Sequence, residues 1–295
     1  MNSSTFVIFL LTALIGGTTA GLVKFSVAQF TPVGTVFLRA LFASIILLPF
    51  VFNNKFDFKK ANVHLLLLSG IFLAANALFF AFGIQYTSVV VSQLIYVPTA
   101  IIVAILGSLF INEKINKYQS IGLIFTVLGM SILVWGSFIA KDLVSFGKPI
   151  GNLLVILAML SWSSYVVVSR KLSKIYSPAQ ITLVGFGATA LISLFALPFQ
   201  MNVVAQNLSK ITLPGVLALC SLILFSTVLY FFFYQINIKK TNAFISSLIF
   251  YLQTLFAAIV GIIFFSEKLS MALIFGALLI IIGVIAATHN NKKTL

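Results

Sequence analysis

Residues 107–129 read GSLFINEKINKYQSIGLIFTVLG, and residues 261–283 read GIIFFSEKLSMALIFGALLIIIG. Each is an apolar run, a short polar break built on Glu-Lys, and a second apolar run. Glu113-Lys114 returns 154 residues later as Glu267-Lys268. At the same separation Gly107 meets Gly261, Gly122 meets Gly276 and Gly129 meets Gly283. Apolar runs resemble one another by chance. Glycines and charges in register are harder to explain that way, and self-similarity over a long period marks a duplicated architecture.

The register extends upstream. At 154 residues Phe79 meets Phe233, Thr87 meets Thr241, Ser92 meets Ser246, and Leu94-Ile95 meets Leu248-Ile249. Near the start of each half, Lys24 and Pro32 meet Arg170 and Pro178 at a separation of 146. The change of offset places extra residues in the second half, in the stretch around Met201–Lys210. The expected units are residues 1–140 and 150–289, each a five-helix repeat.

Only 7% of the 295 residues are charged and 61% are hydrophobic. A soluble domain carries about 25% charged residues, so most of this surface must face lipid. A spanning helix needs about 20 apolar residues. Cutting at the charged and turn-forming clusters gives ten spans: Thr5–Phe25, Val33–Phe52, Val63–Ile84, Val89–Ile111, Ser120–Ile139, Gly151–Val168, Ala179–Phe199, Gly215–Ile238, Ala243–Phe265 and Met271–Thr288. Pro32, Pro149, Pro178 and Pro214 fall at helix starts, where a missing N–H costs nothing. Pro98 falls inside the fourth span and should break it beside protein or a wet cavity. The fold expected is an all-α membrane protein of about ten transmembrane helices in two inverted repeats. An odd number of helices per repeat makes the second half enter the bilayer from the opposite side.

With the N-terminus inside, the inner segments hold twelve Lys and Arg residues and the outer segments five, with Arg39 left within a span. Basic residues collect on the cytoplasmic side, so both termini are expected there, in a bacterial-type inner membrane. The first apolar run has no basic leader and is too long for a signal peptide core. The net charge of +14 is scattered between spans rather than gathered in a patch, which speaks for topology and against nucleic acid. Cys220 stands alone in an apolar run, as a small buried hydrophobe would.

Certain fragments resemble the EamA-type, ten-helix members of the drug/metabolite transporter superfamily. In the first half they are Lys24 to Pro32, Phe37-Leu38-Arg39-Ala40-Leu41, Gln85-Tyr86-Thr87-Ser88, Pro98, and Asn112-Glu113-Lys114 with Gly122 and Gly129. In the second they are Ser161-Trp162, Tyr165, Arg170, Ser177-Pro178, and Ser266-Glu267-Lys268 with Gly276 and Gly283. The resemblance covers nearly the whole chain. It implies movement of metabolites such as amino acids through a cavity lined mainly by spans one, three, four, six, eight and nine. Two departures stand out. Gly16-Gly17 occupies a place where such proteins often carry Trp-Gly, and Leu252 stands opposite Pro98.

Charged groups deep in a span are functional candidates because burying them is expensive. The acids Asp57, Glu113, Asp142 and Glu267 all fall at helix ends or in loops. The absence of a mid-bilayer carboxylate argues against a proton-coupled exporter of lipophilic cations. Glu113 and Glu267, each beside a lysine, read as helix-end ion pairs or as gates. Arg39 can bind a substrate carboxylate, snorkel to headgroups or hold backbone carbonyls. The remaining candidates are polar or aromatic residues deep in spans: Asn76, Gln93, Tyr96, Trp162, Tyr165, Tyr230, Tyr234, Tyr251 and Gln253. Pockets combine apolar walls with a few placed polar groups, while interhelical bonding accounts for such residues equally well. Glycine pairs at Gly122/Gly129, Gly276/Gly283 and Gly17/Gly21 mark close helix packing.

The chain carries no enzyme motif and no metal or cofactor signature, and its two histidines, His64 and His289, lie at a helix start and in the tail. The reading is a monomeric carrier of a small-molecule substrate in a lipid bilayer. The rival is a membrane protein that transports nothing, a sensor or an intramembrane enzyme.

Overall fold

The computed structural model describes residues 2–52, 62–139, 148–208, 211–256 and 271–289. Its elements are α1 (Ser3–Phe30), α2 (Pro32–Phe52), α3 (Val63–Gly83), α4 (Val89–Ile95), α5 (Thr99–Ile111), α6 (Lys117–Ile139), α7 (Pro149–Leu172) and α8 (Pro178–Ala196). A 3₁₀ turn (Leu197–Gln200) leads into α9 (Met201–Leu208). Then come α10 (Leu213–Ser221), a π-helical run (Leu222–Leu229), α11 (Tyr230–Lys240), α12 (Ala243–Ser247), α13 (residues 249–256) and α14 (Met271–His289). Among the described residues, seven helical stretches are long and apolar enough to cross a membrane. The three remaining expected spans are α6, the pair α12–α13, and α14. The chain is a multi-pass α-helical membrane protein, as its composition requires. The stretch expected to hold the extra residues of the second half is largely helical, as α9.

Helix starts follow the local chemistry. Pro32, Pro149 and Pro178 each open a helix, where the fixed φ fits and no N–H is needed. The Ser177 hydroxyl accepts from the Gln180 N–H, and the Gln180 amide oxygen accepts from the Ser177 N–H, completing a capping box. In the repeat mate of that turn, Thr31 Oγ1 accepts from the Gly34 N–H at 3.2 Å. Ser88 caps α4 by accepting from Val91 N–H, and its mate Asn242 caps α12 by accepting from Ile245 N–H. The duplication is therefore carried by hydrogen bonds as well as by residue identity.

Span four breaks where Pro98 predicts. Tyr96 N–H donates to Gln93 C=O and Thr99 N–H to Tyr96 C=O, which are tight three-residue turns between α4 and α5. Span nine also breaks, at Leu248, whose N–H donates to Ile245 C=O. The second half thus makes an interruption of the same kind four residues before Leu252, without a proline.

The helices meet through small residues, as they must where lipid supplies no hydrophobic drive between them. Helices α6 and α14 form the most extensive contact among the described residues. A Cβ added to Gly129 would lie 2.6 Å from the Gly276 carbonyl, and one added to Gly283 would lie 2.6 Å from the Gly122 carbonyl. Each glycine of one repeat thus packs on the mate of its own partner, the exchange that a two-fold axis between α6 and α14 produces. Gly83 and Gly151 bring α3 and α7 together in the same reciprocal way, each Cβ position 2.9 Å from the other's carbonyl. Gly21 differs. Among the described residues nothing lies within 4 Å of its Cβ position, so Gly21 does not mark a helix contact there.

Large apolar side chains cover the outside: Leu109 is 70% exposed and Phe195 77%. Cys220, expected to be buried, is exposed on α10. A small apolar thiol is equally at home against lipid.

Candidate functional site

Between the halves lies a cavity of about 80 Å³. On a measure by which one water takes roughly 10–15 Å³, that is room for several waters or a small solute. Its wall comes from α1 (Gly16, Thr19, Ala20, Val23), α2 (Arg39), α3 (Asn76, Ala77, Phe80), span four (Gln93, Tyr96) and α7 (Trp162). Span eight adds Ser226, Tyr230 and Phe231, and α13 adds Phe250 and Gln253. The six spans expected from the resemblance all contribute, and span two joins them through Arg39.

Of the ten residues singled out in the sequence, the structure brings seven to this wall: Arg39, Asn76, Gln93, Tyr96, Trp162, Tyr230 and Gln253. Four of them are held in hydrogen-bonded pairs. Asn76 Nδ2 donates to Tyr96 Oη at 2.6 Å and to the Ala158 carbonyl at 2.9 Å. In the other half Gln253 Nε2 donates to Tyr230 Oη at 2.8 Å. Asn76 and Tyr230 are repeat mates, so one side-chain bond joins spans three and four and another joins spans eight and nine. Tyr96 and Phe250, also mates, stack with ring centroids 5.4 Å apart.

Trp162 forms the centre of an aromatic layer. Its ring lies 5.4 Å from Tyr165, 5.1 Å from Tyr234 and 5.7 Å from Phe250, centroid to centroid. Tyr165, Tyr234 and Tyr251 are fully buried and lie outside the cavity wall. Tyr234 had been expected to face the cavity with Tyr230. It shares the helix face and stacks on Tyr230 at 5.7 Å, but one turn further along, within the aromatic layer and outside the wall. Tyr165 accepts from Gln235 Nε2 at 2.6 Å and is sealed in the contact between α7 and α11.

Beyond that layer the bundle is closed by polar ties. Asn237 Nδ2 donates to Thr12 Oγ1 at 3.0 Å, joining span eight to α1. Arg170 donates from Nε to the Glu113 carboxylate at 2.5 Å and from Nη1 to the carbonyls of Ile238 and Lys239. The other Glu113 oxygen accepts from Ala243 N–H at 3.0 Å. The guanidinium thus sits at the C-terminal carbonyls of α11, where a cation is favoured, and the carboxylate sits at the free amide that opens α12. Glu113 thus forms an ion pair at a helix end, and its partner is Arg170 across the bundle rather than the neighbouring Lys114. The corresponding Glu267 lies outside the described residues. At the other end Lys24, the mate of Arg170, donates to the Thr87 carbonyl at 2.7 Å.

Sequence reasoning missed the other nine wall residues, Gly16, Thr19, Ser226 and Phe250 among them. One signal was present. Gly16 stands where the resembling proteins often carry Trp, and a Cβ there would collide with the Gln253 side chain. In this chain Gln253 crosses to α1 and fills that place. Ser226 carries no such signal; its hydroxyl is buried and has no partner among the described residues.

The family model of EamA-like transporters matches residues 3–135 and again residues 149–288. Among curated proteins, the chain is 26% identical to "Uncharacterized transporter YyaM" of Bacillus subtilis (strain 168), over 94% of this chain and 90% of that protein. It is 24% identical to an "Uncharacterized transporter" of Clostridium kluyveri, over 98% and 94% of the two chains. An "Uncharacterized transporter" of Archaeoglobus fulgidus is 25% identical over 99% and 100%. A solved structure titled "Crystal structure of protein" superposes with a TM-score of 0.76 and covers 99% of both chains at 15% identity, a likeness of fold alone.

Proposed function

The chain belongs to the EamA-like transporter family, and from that premise we propose that it is a secondary carrier that moves a small metabolite, such as an amino acid, by alternating access. The observation that carries the reading is the pairing of repeat mates around the cavity. Tyr96 stacks on Phe250, and the bonds Asn76–Tyr96 and Gln253–Tyr230 tie corresponding helices in the two halves. Inverted repeats around a central site exchange conformations and so open the site to each side in turn. Broken spans four and nine are the kind of discontinuous helix that such sites use.

The loop charge bias puts both termini in the cytoplasm of a bacterial-type inner membrane. The cavity is then displaced toward the outer half of the bilayer. The aromatic layer around Trp162, the Asn237–Thr12 bond and the Glu113–Arg170 pair close the inner half. The conformation faces outward, with the solute bound above Trp162. The carrier works as a monomer, since one chain supplies every wall.

The test is saturable uptake of a radiolabelled amino acid and organic acid pool into liposomes holding the purified chain. Uptake that saturates and is lost in Gln253→Ala supports the reading. Uptake no greater than in empty liposomes contradicts it.

A further inference from the structure

We infer that the solute is anchored by a carboxylate, bound to the guanidinium of Arg39; the inference rests on the carrier reading above and narrows its substrate class. Arg39 is 8% exposed, on α2, seven residues in from Pro32. It is the charged residue of the cavity wall among the described residues. A buried cation without a partner is expensive. Among the described residues the acid is Glu113, and it is committed to Arg170.

Arg39 makes one hydrogen bond among the described residues, from Nε to Thr227 Oγ1 at 3.1 Å. A guanidinium has five N–H donors, so this contact leaves the two Nη groups, the fork that matches a carboxylate in bidentate fashion, unbonded by those residues. The π-helical run of span eight fixes this orientation. Thr227 Oγ1 donates to the Leu222 carbonyl at 2.7 Å, five residues back, which turns its lone pair toward Arg39. The neighbouring Ser226 would ordinarily bond four residues back, to that same Leu222 carbonyl. Its hydroxyl instead is buried in the cavity wall without a partner among the described residues. The run therefore aligns a cation by one residue and leaves a donor in the wall by the next.

The rest of the wall limits the ligand. Asn76, Tyr96, Tyr230 and Gln253 are neutral and bonded in pairs, so a second negative charge would find no second cation. The size of the cavity holds the ligand to a few heavy atoms. A small monocarboxylate, free or as part of an amino acid, meets both limits. A phosphate ester or dicarboxylate does not.

Thermal shift on the purified full-length chain, with a panel of small carboxylic acids and amino acids each paired with its primary amide, tests this. The acids that bind should do so roughly tenfold to a hundredfold more tightly than their amides. Arg39→Gln should erase the difference, and Arg39→Lys should keep part of it. Thr227→Val, which keeps the charge and removes its orienting partner, should weaken the acids alone and serves if Arg39→Gln does not fold. Amides or amines binding as well as acids would overturn the inference and leave the carrier standing. So would undiminished acid binding in folded Arg39→Gln, or in Thr227→Val where it stands in. If no panel member binds and no labelled member crosses the liposome membrane saturably, the carrier reading fails and this inference with it.

Discussion

Tyr96 and Phe250, 154 residues apart in the chain, stack with an offset, their centroids 5.4 Å apart and their planes 28° apart. They occupy the same place in the two repeats. Two mates touch each other only where the relation between the repeats brings a place onto its own image. The glycines of α6 and α14 obey the same relation by exchange, Gly129 meeting Gly276 and Gly122 meeting Gly283. The cavity wall lies beside this axis, where a rearrangement of one half against the other must change it.

Removing the ties around the axis should weaken solute binding without unfolding the chain. Tyr230→Phe leaves Gln253 Nε2 without its acceptor, and Asn76→Ala leaves Tyr96 Oη and the Ala158 carbonyl without their donor. An unpaired buried group costs about 1–3 kcal/mol. Half-saturation of flux should therefore rise roughly five- to a hundredfold, and Gln93→Ala should fall in the same range. The melting temperature in detergent should barely move for Gln93→Ala, whose side chain is half-buried.

The glycine contacts give a stability test. Gly129→Val would push a side chain against the Gly276 carbonyl and Ile280. Overpacking of this kind costs about 1–3 kcal/mol, and melting temperature and yield should fall. Gly21→Ala meets open space and replaces a glycine within a helix. It should be neutral or stabilising by about 0.5–1 kcal/mol. Equal losses in both variants would mean that α6 and α14 are not packed as described.

Glu113 holds helix ends and should not be a coupling residue. Glu113→Gln keeps an oxygen for the Ala243 N–H but loses the charge facing Arg170. The pair is partly exposed, at 25% and 11% of its side-chain surfaces, so the penalty is a fraction of that for a fully buried pair. The melting temperature should drop by less than for Arg170→Ala, which also strips the carbonyls of Ile238 and Lys239. Flux per folded molecule should persist in Glu113→Gln, and also in Glu267→Gln. Complete loss in well-folded protein would make either glutamate part of the transport step.

Topology is checked by reporter fusions. Fusions at Asn54 and Lys240 should read cytoplasmic, and fusions at Lys141 and Lys210 external. A mixed pattern would remove the inverted relation between the halves.

Composition and proline placement made the spans legible, because a helix in lipid needs length, apolar residues and little else. Tyr230 and Tyr234, four residues apart, share a face by helical spacing alone. Spacing could not show depth, and depth separates the wall residue Tyr230 from Tyr234 outside the wall. The break at Leu248 has no proline to announce it. Gln253 filling the space beside Gly16 is a contact between the first and ninth spans, and no local pattern encodes it. Arg39 was visible as an oddity within a span. Its contact with Thr227, 188 residues away, is one that no local pattern encodes.

The central claim is a carrier that presents one site to each side in turn, and counterflow tests it most directly. Liposomes holding the purified chain are loaded with an unlabelled amino acid and organic acid pool, diluted, and given the labelled pool at trace concentration. The account predicts a transient overshoot of label inside, driven by exit of the unlabelled solute, and loss of that overshoot in Gln253→Ala. Label that enters without overshoot, in linear proportion to its concentration, or no faster than in empty liposomes, would contradict it.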